Sequence, residues 1–293
     1  MKDFLEYIEK VEKKAENTVL AYKRDIGAFE EFLMERGVIN LLSCNNSDAI
    51  AYVIYLKNEN KSKATINRKI SSIRAYYANK LKNKEIDENP FDNVKSAKSD
   101  KREIDYLSVD EVNALLDLPD KTLKGLRDRA LLEVMYGTGA RVTEINKIKH
   151  KDVNFKMNFI TCTDGHGNSR IIPLGSYAHK ALEKYISEGY CAIKRTLEIK
   201  PEDYLFINFA GKSLTRQGVW KIVKEYGSRI GIEDRMTPQI LRNTFAVHML
   251  QNGSDLKTLQ ELMGFDDISV GMAYLSVTNN RVKDVFNRSH PRA

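Results

Sequence analysis

The chain has 293 residues, of which 30% are charged and 42% hydrophobic, a composition typical of a folded protein with about two domains. Lys and Arg outnumber Asp and Glu by 47 to 40, and the net charge of +7 favours an anionic partner. No membrane span, apolar signal peptide, phosphate-binding glycine loop or zinc-protease motif is present, and the three cysteines are odd in number and far apart. We therefore expect a protein of the reducing cytoplasm without a membrane segment, metal or cofactor.

Residues 1–91 have the apolar spacing of a helical domain with four or five helices. One helix is predicted to start at Asn17-Thr18 and to end at Gly37. A second is predicted from a cap at Ser47 to about Lys57, and its expected buried residues are Ile50, Val53, Ile54 and Tyr55. A third is predicted over about 64–81, where the apolar residues Ile66, Ile70, Ile73 and Tyr77 are spaced by four, three and four.

Residues 92–104 are polar and charged and predict a linker to a second domain over 105–293. That domain begins with a capping box at 108–111, and a helix is predicted over about 125–136. Two short apolar runs flank a glycine-rich turn at 164–168 and predict a β-hairpin. The further predicted helices are 176–188, capped by Ser176 and stopped by Gly189, then about 215–226, and one from Thr237-Pro238 to near Gly253.

The most basic stretch is 61–84, which holds eight Lys or Arg and no acid in a chain with 40 acids. Its basic and short polar residues are expected to lie mostly off the apolar stripe of the third helix. Such a face suits phosphates or a major groove, because Lys and Arg release counterions; a solvated basic face without a ligand is the alternative. The DNA-binding candidates are Lys61, Lys63, Thr65, Arg68, Lys69, Ser72 and Arg74, together with Arg216 and Gln217 at the start of a later helix.

Three separate features of the second domain could meet at one anion. Arg141 follows a glycine-rich turn at a helix start, with Glu144 three residues later, and Arg242 lies in the first turns of another helix. Tyr274 follows in Met-Ala-Tyr-Leu. Taken singly, each has an ordinary structural explanation: an ion pair between Arg141 and Glu144, an interhelical salt bridge of Arg242, and packing of Tyr274.

Taken together, these motifs resemble the tyrosine recombinases of the phage-integrase family, and the whole chain resembles the Xer type. The C-terminal part carries Gly-Thr-Gly-Ala-Arg-Val-Thr-Glu-Ile at 137–145, Leu-Arg-Asn-Thr-Phe-Ala-Val-His at 241–248 and His-Pro-Arg-Ala at 290–293. The N-terminal part carries Asn-Thr-Val-Leu-Ala-Tyr-Lys-Arg-Asp at 17–25, Thr-Ile-Asn-Arg-Lys-Ile-Ser-Ser-Ile-Arg at 65–74 and Asn-Pro-Phe at 89–91.

The resemblance implies a mainly α fold, with an N-terminal SAM-like helical bundle that binds core DNA and a mixed α/β catalytic domain with a small antiparallel sheet. It implies site-specific recombination of double-stranded DNA, clamped between the domains, through a 3′-phosphotyrosyl intermediate and without a cofactor. Arg141 and Arg242 would bind the scissile phosphate, and Tyr274 would attack it. A homotetramer on DNA is also implied, in which residues 279–293 dock on a neighbour; a monomer in solution is compatible with this.

The sequence departs from the family at three of six catalytic positions. His166 stands in the hairpin turn where a lysine is usual, Gln239 replaces a histidine three residues before the second arginine, and Phe265 replaces His or Trp. His166 is predicted either to act as the general acid or to be only a solvated turn residue. Gln239 can donate a hydrogen bond to a phosphate but cannot move a proton, and Phe265 can only pack. We therefore expect a slower enzyme, or one that needs an activating partner.

Two other functions fit part of the pattern. A recombinase-fold accessory protein that binds DNA without cutting it would explain the lost lysine and histidine, but not the retention of Arg141, Arg242 and Tyr274. A transcription regulator that uses the helix at 64–81 would leave the motifs at 137–145 and 239–274 unexplained. The motifs do not specify the DNA site, nor whether the role is chromosome-dimer resolution, mobility of an element, or inversion.

Overall fold

The computed structural model divides the chain into two compact units, Met1–Arg102 and Glu103–Ala293. It describes residues 1–97, 104–196, 203–275 and 277. The described residues are mostly helical and include one small antiparallel sheet, which confirms the predicted fold class. No helix in these ranges combines the length and the apolar character needed to cross a membrane.

The N-terminal unit packs its helices around an aromatic core. Phe29 lies at its centre, with ring centroids 4.7 Å from Tyr52 and 5.3 Å from Phe91. The α-helices are α1 (Lys2–Lys10), α2 (Glu16–Glu35), α3 (Asn46–Asn58) and α4 (Lys63–Lys82). The predicted apolar stripe of α4 is buried as expected, because its spacing places one side of the helix against α2.

The second predicted helix is present, but its cap and buried face differ from the prediction. Asn45, not Ser47, caps α3, since its side-chain oxygen accepts the amides of residues 47 and 48. The buried residues of α3 are Asp48, Ala49, Tyr52 and Leu56. The prediction that Ile50, Ile54 and Tyr55 are buried is wrong, because these residues are 48%, 52% and 41% exposed. Both stripes of α3 are apolar, and the stripe that carries Tyr52 reaches the aromatic core.

Residues 92–97 belong to the predicted linker, but they pack on α4. Val94 is buried, and its carbonyl accepts a hydrogen bond of 2.6 Å from Arg74. The side chain of Asn67 pairs with both backbone groups of Ala97, at 2.8 and 2.9 Å. The packed N-terminal unit therefore extends at least to residue 97, and positions 98–103 of the predicted linker lie outside the described residues.

The C-terminal unit surrounds α6, a helix buried along most of its length. The predicted hairpin forms β2 and β3, and the sheet order is β1-β2-β3 with antiparallel pairing throughout. The elements before residue 174 are α5 (Val109–Asp117), α6 (Leu123–Thr138), α7 (Val142–Ile145), β1 (Val153–Asn154), β2 (Phe159–Thr163) and β3 (Ser169–Pro173). Those that follow are α8 (Ser176–Lys184), α9 (Cys191–Thr196), α10 (Arg216–Arg229), α11 (Pro238–Gln251) and α12 (Leu256–Met263), and residues 268–275 are also helical.

The sequence predicted that Gly189 ends the helix that begins at Ser176, and this prediction is wrong. The cap is Gly175, and the chain continues through a π-helical segment, Tyr185–Tyr190, into α9. A Cβ at Gly189 would lie 2.9 Å from the Tyr185 ring. The glycine therefore serves close packing inside the helix rather than termination.

Candidate active site

Arg141 is placed by the turn that ends α6. Gly139 adopts a left-handed φ of +57°, and the Phe245 ring fills the space that a Cβ would need. The chain can therefore reverse tightly and begin α7, with Arg141 as the N-cap residue of that helix. The Arg141 amide donates to Glu144 Oε2 at 2.7 Å, and its guanidinium donates to Glu144 Oε1 at 3.2 Å and to the Gly264 carbonyl at 3.0 Å. The side chain is 41% exposed, so it can also reach a bound anion.

Glu144 is the anchor of this arginine. It is 1% exposed, and Arg170 of β3 binds both of its oxygens, at 2.7 and 2.8 Å. Burial alone would raise the pKa of Glu144, but hydrogen bonds from Arg170 and from the Arg141 amide lower it overall. Glu144 is therefore a carboxylate that orients Arg141. Sequence reasoning missed Arg170, although a charged residue within the apolar run of β3 was a usable signal.

Arg242 lies on α11, whose start at Thr237-Pro238 is as predicted. The side chain is 4% exposed and donates to the carbonyls of Gly139 and Met263, the latter at 2.8 Å. Burial, followed by the nearby charge of Arg141, lowers the pKa of Arg242 to about 10. The guanidinium remains charged at neutral pH and is held by dipoles, so its charge is available to attract an anion.

Tyr274 is buried beside this arginine. Its ring stacks on Phe265 at 6.0 Å between centroids, and Phe265 in turn lies under the Arg242 guanidinium at 5.4 Å. Burial raises the pKa of the Tyr274 phenol, while Arg242 and Arg141 act in the opposite direction. The residue that stands in place of the usual His or Trp therefore packs between the nucleophile candidate and one arginine.

Asn243 connects Tyr274 to Gln239. The Asn243 amide oxygen accepts from the Tyr274 hydroxyl at 3.1 Å and from Gln239 Nε2 at 2.9 Å. The Asn243 amide nitrogen donates to the Asp105 carbonyl at 3.1 Å. Sequence reasoning did not single out Asn243, because an asparagine on a helix carries no chemical signal until its neighbours are known.

Two open cavities meet at Arg141. The larger, about 490 Å³, is lined by Arg141, Arg242, Gln239 and Arg216, so three arginines line one space. The smaller, about 260 Å³, is lined by Arg141, Glu144 and His166 together with parts of the hairpin turn. His166 is exposed, and its amide donates to Asp164 Oδ1 at 2.8 Å, which shapes the turn. Gln217 is exposed on the same first turn of α10 as Arg216 but does not line the larger cavity.

Much of the predicted basic face of α4 is engaged within the N-terminal unit. Asp25 of α2 is fully buried and binds Arg68, Lys69 at 3.4 Å and the Ser72 hydroxyl at 3.0 Å. Ser72 is itself buried, so the expectation that it lies off the apolar stripe is wrong. Arg74 donates to the carbonyls of residues 91 and 94. That Arg68, Lys69, Ser72 and Arg74 bind DNA stays a prediction.

The start of α4 presents the remaining candidates to solvent. Lys61 and Lys63 are exposed, and Thr65 is half-buried with its hydroxyl 2.9 Å from that of Ser62. Lys61 lies 3.9 Å from Glu59 in an exposed ion pair.

Within the described ranges, no group of three or more His, Cys, Asp or Glu is arranged to hold a metal ion. The predicted docking segment 279–293 lies outside the described residues.

Sequence comparisons relate both units to one family. The profile described as "Phage integrase family" matches residues 105–281, and "Phage integrase, N-terminal SAM-like domain" matches residues 1–84. A tyrosine recombinase homologue from Caldanaerobacter subterraneus subsp. tengcongensis is 42% identical over 293 residues, which cover 99% of this chain and 98% of the homologue. Tyrosine recombinase XerD from Oceanobacillus iheyensis is 36% identical over 294 residues, which cover 100% of this chain and 98% of XerD.

Two solved structures share the fold. The Tn1549 transposon integrase in complex with transposon right end DNA aligns over 98% of each chain, with a TM-score of 0.77 and 22% identity. The XerH site-specific recombinase bound to palindromic difH substrate aligns over 96% of this chain and 83% of XerH, with a TM-score of 0.77 and 20% identity. At these identities the likeness shows the fold alone.

Proposed function

Because this chain belongs to the phage integrase family of tyrosine recombinases, enzymes that recombine DNA site-specifically, we propose that Arg141, Arg242 and Tyr274 carry out its strand cleavage. One observation carries the proposal: two arginines from distant segments line a single cavity, and the tyrosine stacks on the ring that lies under one of them. Glu144 supports this set by orienting Arg141, and Gln239 supplies a further N–H donor at the cavity wall.

The reaction exchanges one phosphoester bond for another. Tyr274 Oη bonds to the scissile phosphorus, and the bond from phosphorus to the 5′ oxygen breaks, which leaves a 3′-phosphotyrosine and a free 5′ hydroxyl. Arg141 and Arg242 neutralise the charge that grows on the non-bridging oxygens in the transition state. A 5′ hydroxyl of the other duplex then displaces the tyrosine. Since no bond energy is lost to hydrolysis, the exchange needs no ATP.

Two proton transfers accompany cleavage. The departing 5′ oxygen needs a proton, and we propose that His166 donates it. His166 and Arg141 line the smaller cavity together, which supports this role. The phenol must pass its proton to a solvent water as its oxygen bonds to phosphorus, because the amide oxygen of Asn243 can accept a hydrogen bond but not a proton. Tyr274 must therefore leave Asn243 before it attacks. This step agrees with a slow or partner-activated enzyme.

The substrate of the proposed site is double-stranded DNA. The cluster Lys61, Lys63 and Thr65, with Arg216 and Gln217 in the other unit, supplies the proposed phosphate contacts. We further propose that four copies assemble on paired sites by exchange of residues 279–293, while the chain without DNA is a monomer. The proposed compartment is the cytoplasm, where DNA is accessible and the free thiols of Cys44, Cys162 and Cys191 stay reduced.

A trapping experiment tests the catalytic assignment. The recognition sequence is first selected from a random duplex library with the purified chain, and it is then made as a nicked duplex that loses a short fragment on cleavage. We expect the parent to form a covalent complex that survives SDS, Tyr274→Phe to form none, and Arg141→Ala and Arg242→Ala to be slower by about 100-fold or more. Tyr177→Phe, which changes an exposed tyrosine, is the matched control.

The same experiment decides between cleavage and accessory binding. If the parent binds the selected duplex tightly but leaves no covalent complex under any nicking position, the recombinase-fold accessory protein is the correct description. A complex that persists in Tyr274→Phe would transfer the nucleophile role to another residue.

A further inference from the structure

Three consecutive carbonyl oxygens at the end of α12 each accept an N–H from a different arginine. The pairs are Leu262 with Arg170 at 2.7 Å, Met263 with Arg242 at 2.8 Å and Gly264 with Arg141 at 3.0 Å. The last carbonyls of a helix lack partners within the helix, and the helix dipole places partial negative charge there. The carbonyl groups at three adjacent positions of the chain, at the end of α12, therefore hold three guanidiniums.

Arg170, like Arg242, is largely shielded from solvent, and Arg141 is the exposed member of this set. The Arg170 side chain is 13% exposed, whereas that of Arg141 is 41% exposed. Arg170 uses Nε on the Leu262 carbonyl and both terminal nitrogens on Glu144. The planar guanidinium thus connects the end of α12 rigidly to the carboxylate that orients Arg141.

Gly264 shows how closely this connection is packed. Its φ is +62°, and a Cβ there would lie 3.1 Å from Arg170 Nη1 and 3.3 Å from Arg170 Cδ. The Arg170 side chain therefore lies directly against the turn whose carbonyl holds Arg141. A change at Arg170 therefore affects both hydrogen-bond acceptors of the Arg141 guanidinium, the Gly264 carbonyl and the Glu144 carboxylate.

We propose that Arg170 is a positioning residue for strand cleavage, which holds Arg141 towards the scissile phosphate through Glu144 and through the turn at 262–264. This inference rests on the proposed function. When Arg170 is removed, Glu144 becomes a buried carboxylate with one guanidinium instead of two. The Arg141 side chain then moves further onto Glu144, because an unpaired buried charge is costly, and it is withdrawn from the phosphate.

The test compares two substrates that differ in charge at the scissile phosphorus. One carries an ordinary phosphate, and the other carries a methylphosphonate, in which a methyl group replaces a charged oxygen. On the phosphate, Arg170→Gln is expected to lower the single-turnover cleavage rate on the order of 10- to 100-fold, since small misplacements of a catalytic group have effects of this size. On the methylphosphonate the loss is expected to shrink to a few-fold, because less charge has to be neutralised.

A matched control variant is Arg129→Gln. Arg129 also binds a buried glutamate, Glu133, at 3.0 Å and donates to the carbonyl of Leu116 near the end of α5, but it lies outside the two cavities at Arg141. We expect this variant to cleave both substrates at the parent rate. Arg170→Lys keeps the charge without the planar fork and should be intermediate; it also carries the comparison if Arg170→Gln does not fold.

The outcomes separate this inference from the proposed function. Equal losses on both substrates, or no loss on either, would overturn the positioning role of Arg170 while leaving the catalytic assignment intact. Absence of a covalent complex in the parent would instead remove the catalytic assignment itself. DNA affinity and thermal unfolding, measured for each variant, confirm that the compared proteins are folded and bound.

Discussion

The hydroxyl group of Tyr274 donates a hydrogen bond to the amide oxygen of Asn243, with 3.1 Å between the two oxygens. Tyr274 is 6% exposed, so this bond holds the nucleophile candidate in its neutral form and away from solvent. Asn243 is itself fixed by Gln239 and by the Asp105 carbonyl. In the proposed mechanism this is a resting position, from which Tyr274 must be released before it can attack.

A double-mutant cycle measures the strength of that contact. We expect Tyr274→Phe and Asn243→Ala each to destabilise the chain without DNA, and their combination to cost less than the sum by about 0.5–1.5 kcal/mol, the usual net value of a hydrogen bond. Urea unfolding of the four proteins gives this coupling. A parallel cycle with the exposed Tyr177→Phe should give none, and additive losses in the Tyr274 cycle would show that the contact stores no free energy.

The proposed role of His166 has a chemical test. We expect His166→Ala to lose most cleavage on ordinary DNA and to regain it on DNA with a sulfur in place of the 5′ bridging oxygen, because a thiolate leaves without a proton donor. Gel analysis of the covalent complex measures both rates. His166→Lys should keep activity on both substrates, since lysine is the usual residue of the family at this turn. If the sulfur does not restore cleavage by His166→Ala, His166 is not the general acid and is only a solvated turn residue.

The sequence was most informative where local pattern decides structure. The spacing of Ile66, Ile70 and Ile73 predicted α4, and the capping box at 108–111 predicted the start of α5. It was less informative for α3, because two apolar stripes compete and only the aromatic core around Phe29 selects the buried one.

The candidate site shows the same division. Arg141, Arg242 and Tyr274 were singled out as candidates because their motifs are distinctive. Arg170 and Asn243 were not singled out, because their contacts with the candidate site are to partners 26 and 31 residues away, Glu144 and Tyr274. Asp25 likewise meets Arg68 across 43 residues, so local spacing could not show that part of the basic helix is used inside the unit.

Two lysines of the basic stretch, one buried against α2 and one at the exposed start, should respond differently to mutation. Lys69→Ala removes a partner of the buried Asp25, and we expect it to lower the free energy of unfolding by about 1–3 kcal/mol. Lys61→Ala breaks only an exposed ion pair, so it should leave the fold unchanged but reduce the salt dependence of DNA binding by about one unit of slope. Urea unfolding and affinity measured against salt concentration distinguish the two. An unchanged slope in Lys61→Ala would remove this residue from the DNA contacts.

The stability of the C-terminal unit should depend on pH through His248. The ring is buried, its Nδ1 lies 3.0 Å from the Tyr136 hydroxyl, and burial lowers the pKa of His248, with a smaller opposing effect from the Leu107 backbone. The unfolded chain therefore binds a proton at this residue at a higher pH than the folded chain does. The contribution is fully present above the unfolded pKa of about 6.5 and is lost as the pH falls towards the folded value.

We accordingly expect the free energy of unfolding to fall between pH 7.5 and pH 5.5 more steeply in the parent than in His248→Gln, which cannot take up the proton. Urea unfolding at several pH values within this window measures both slopes. His150, whose pKa burial also lowers, contributes the same sign to both proteins and cancels in the difference. Identical slopes would mean that His248 is protonated in the folded state as readily as in the unfolded chain, in conflict with its buried contact to Tyr136.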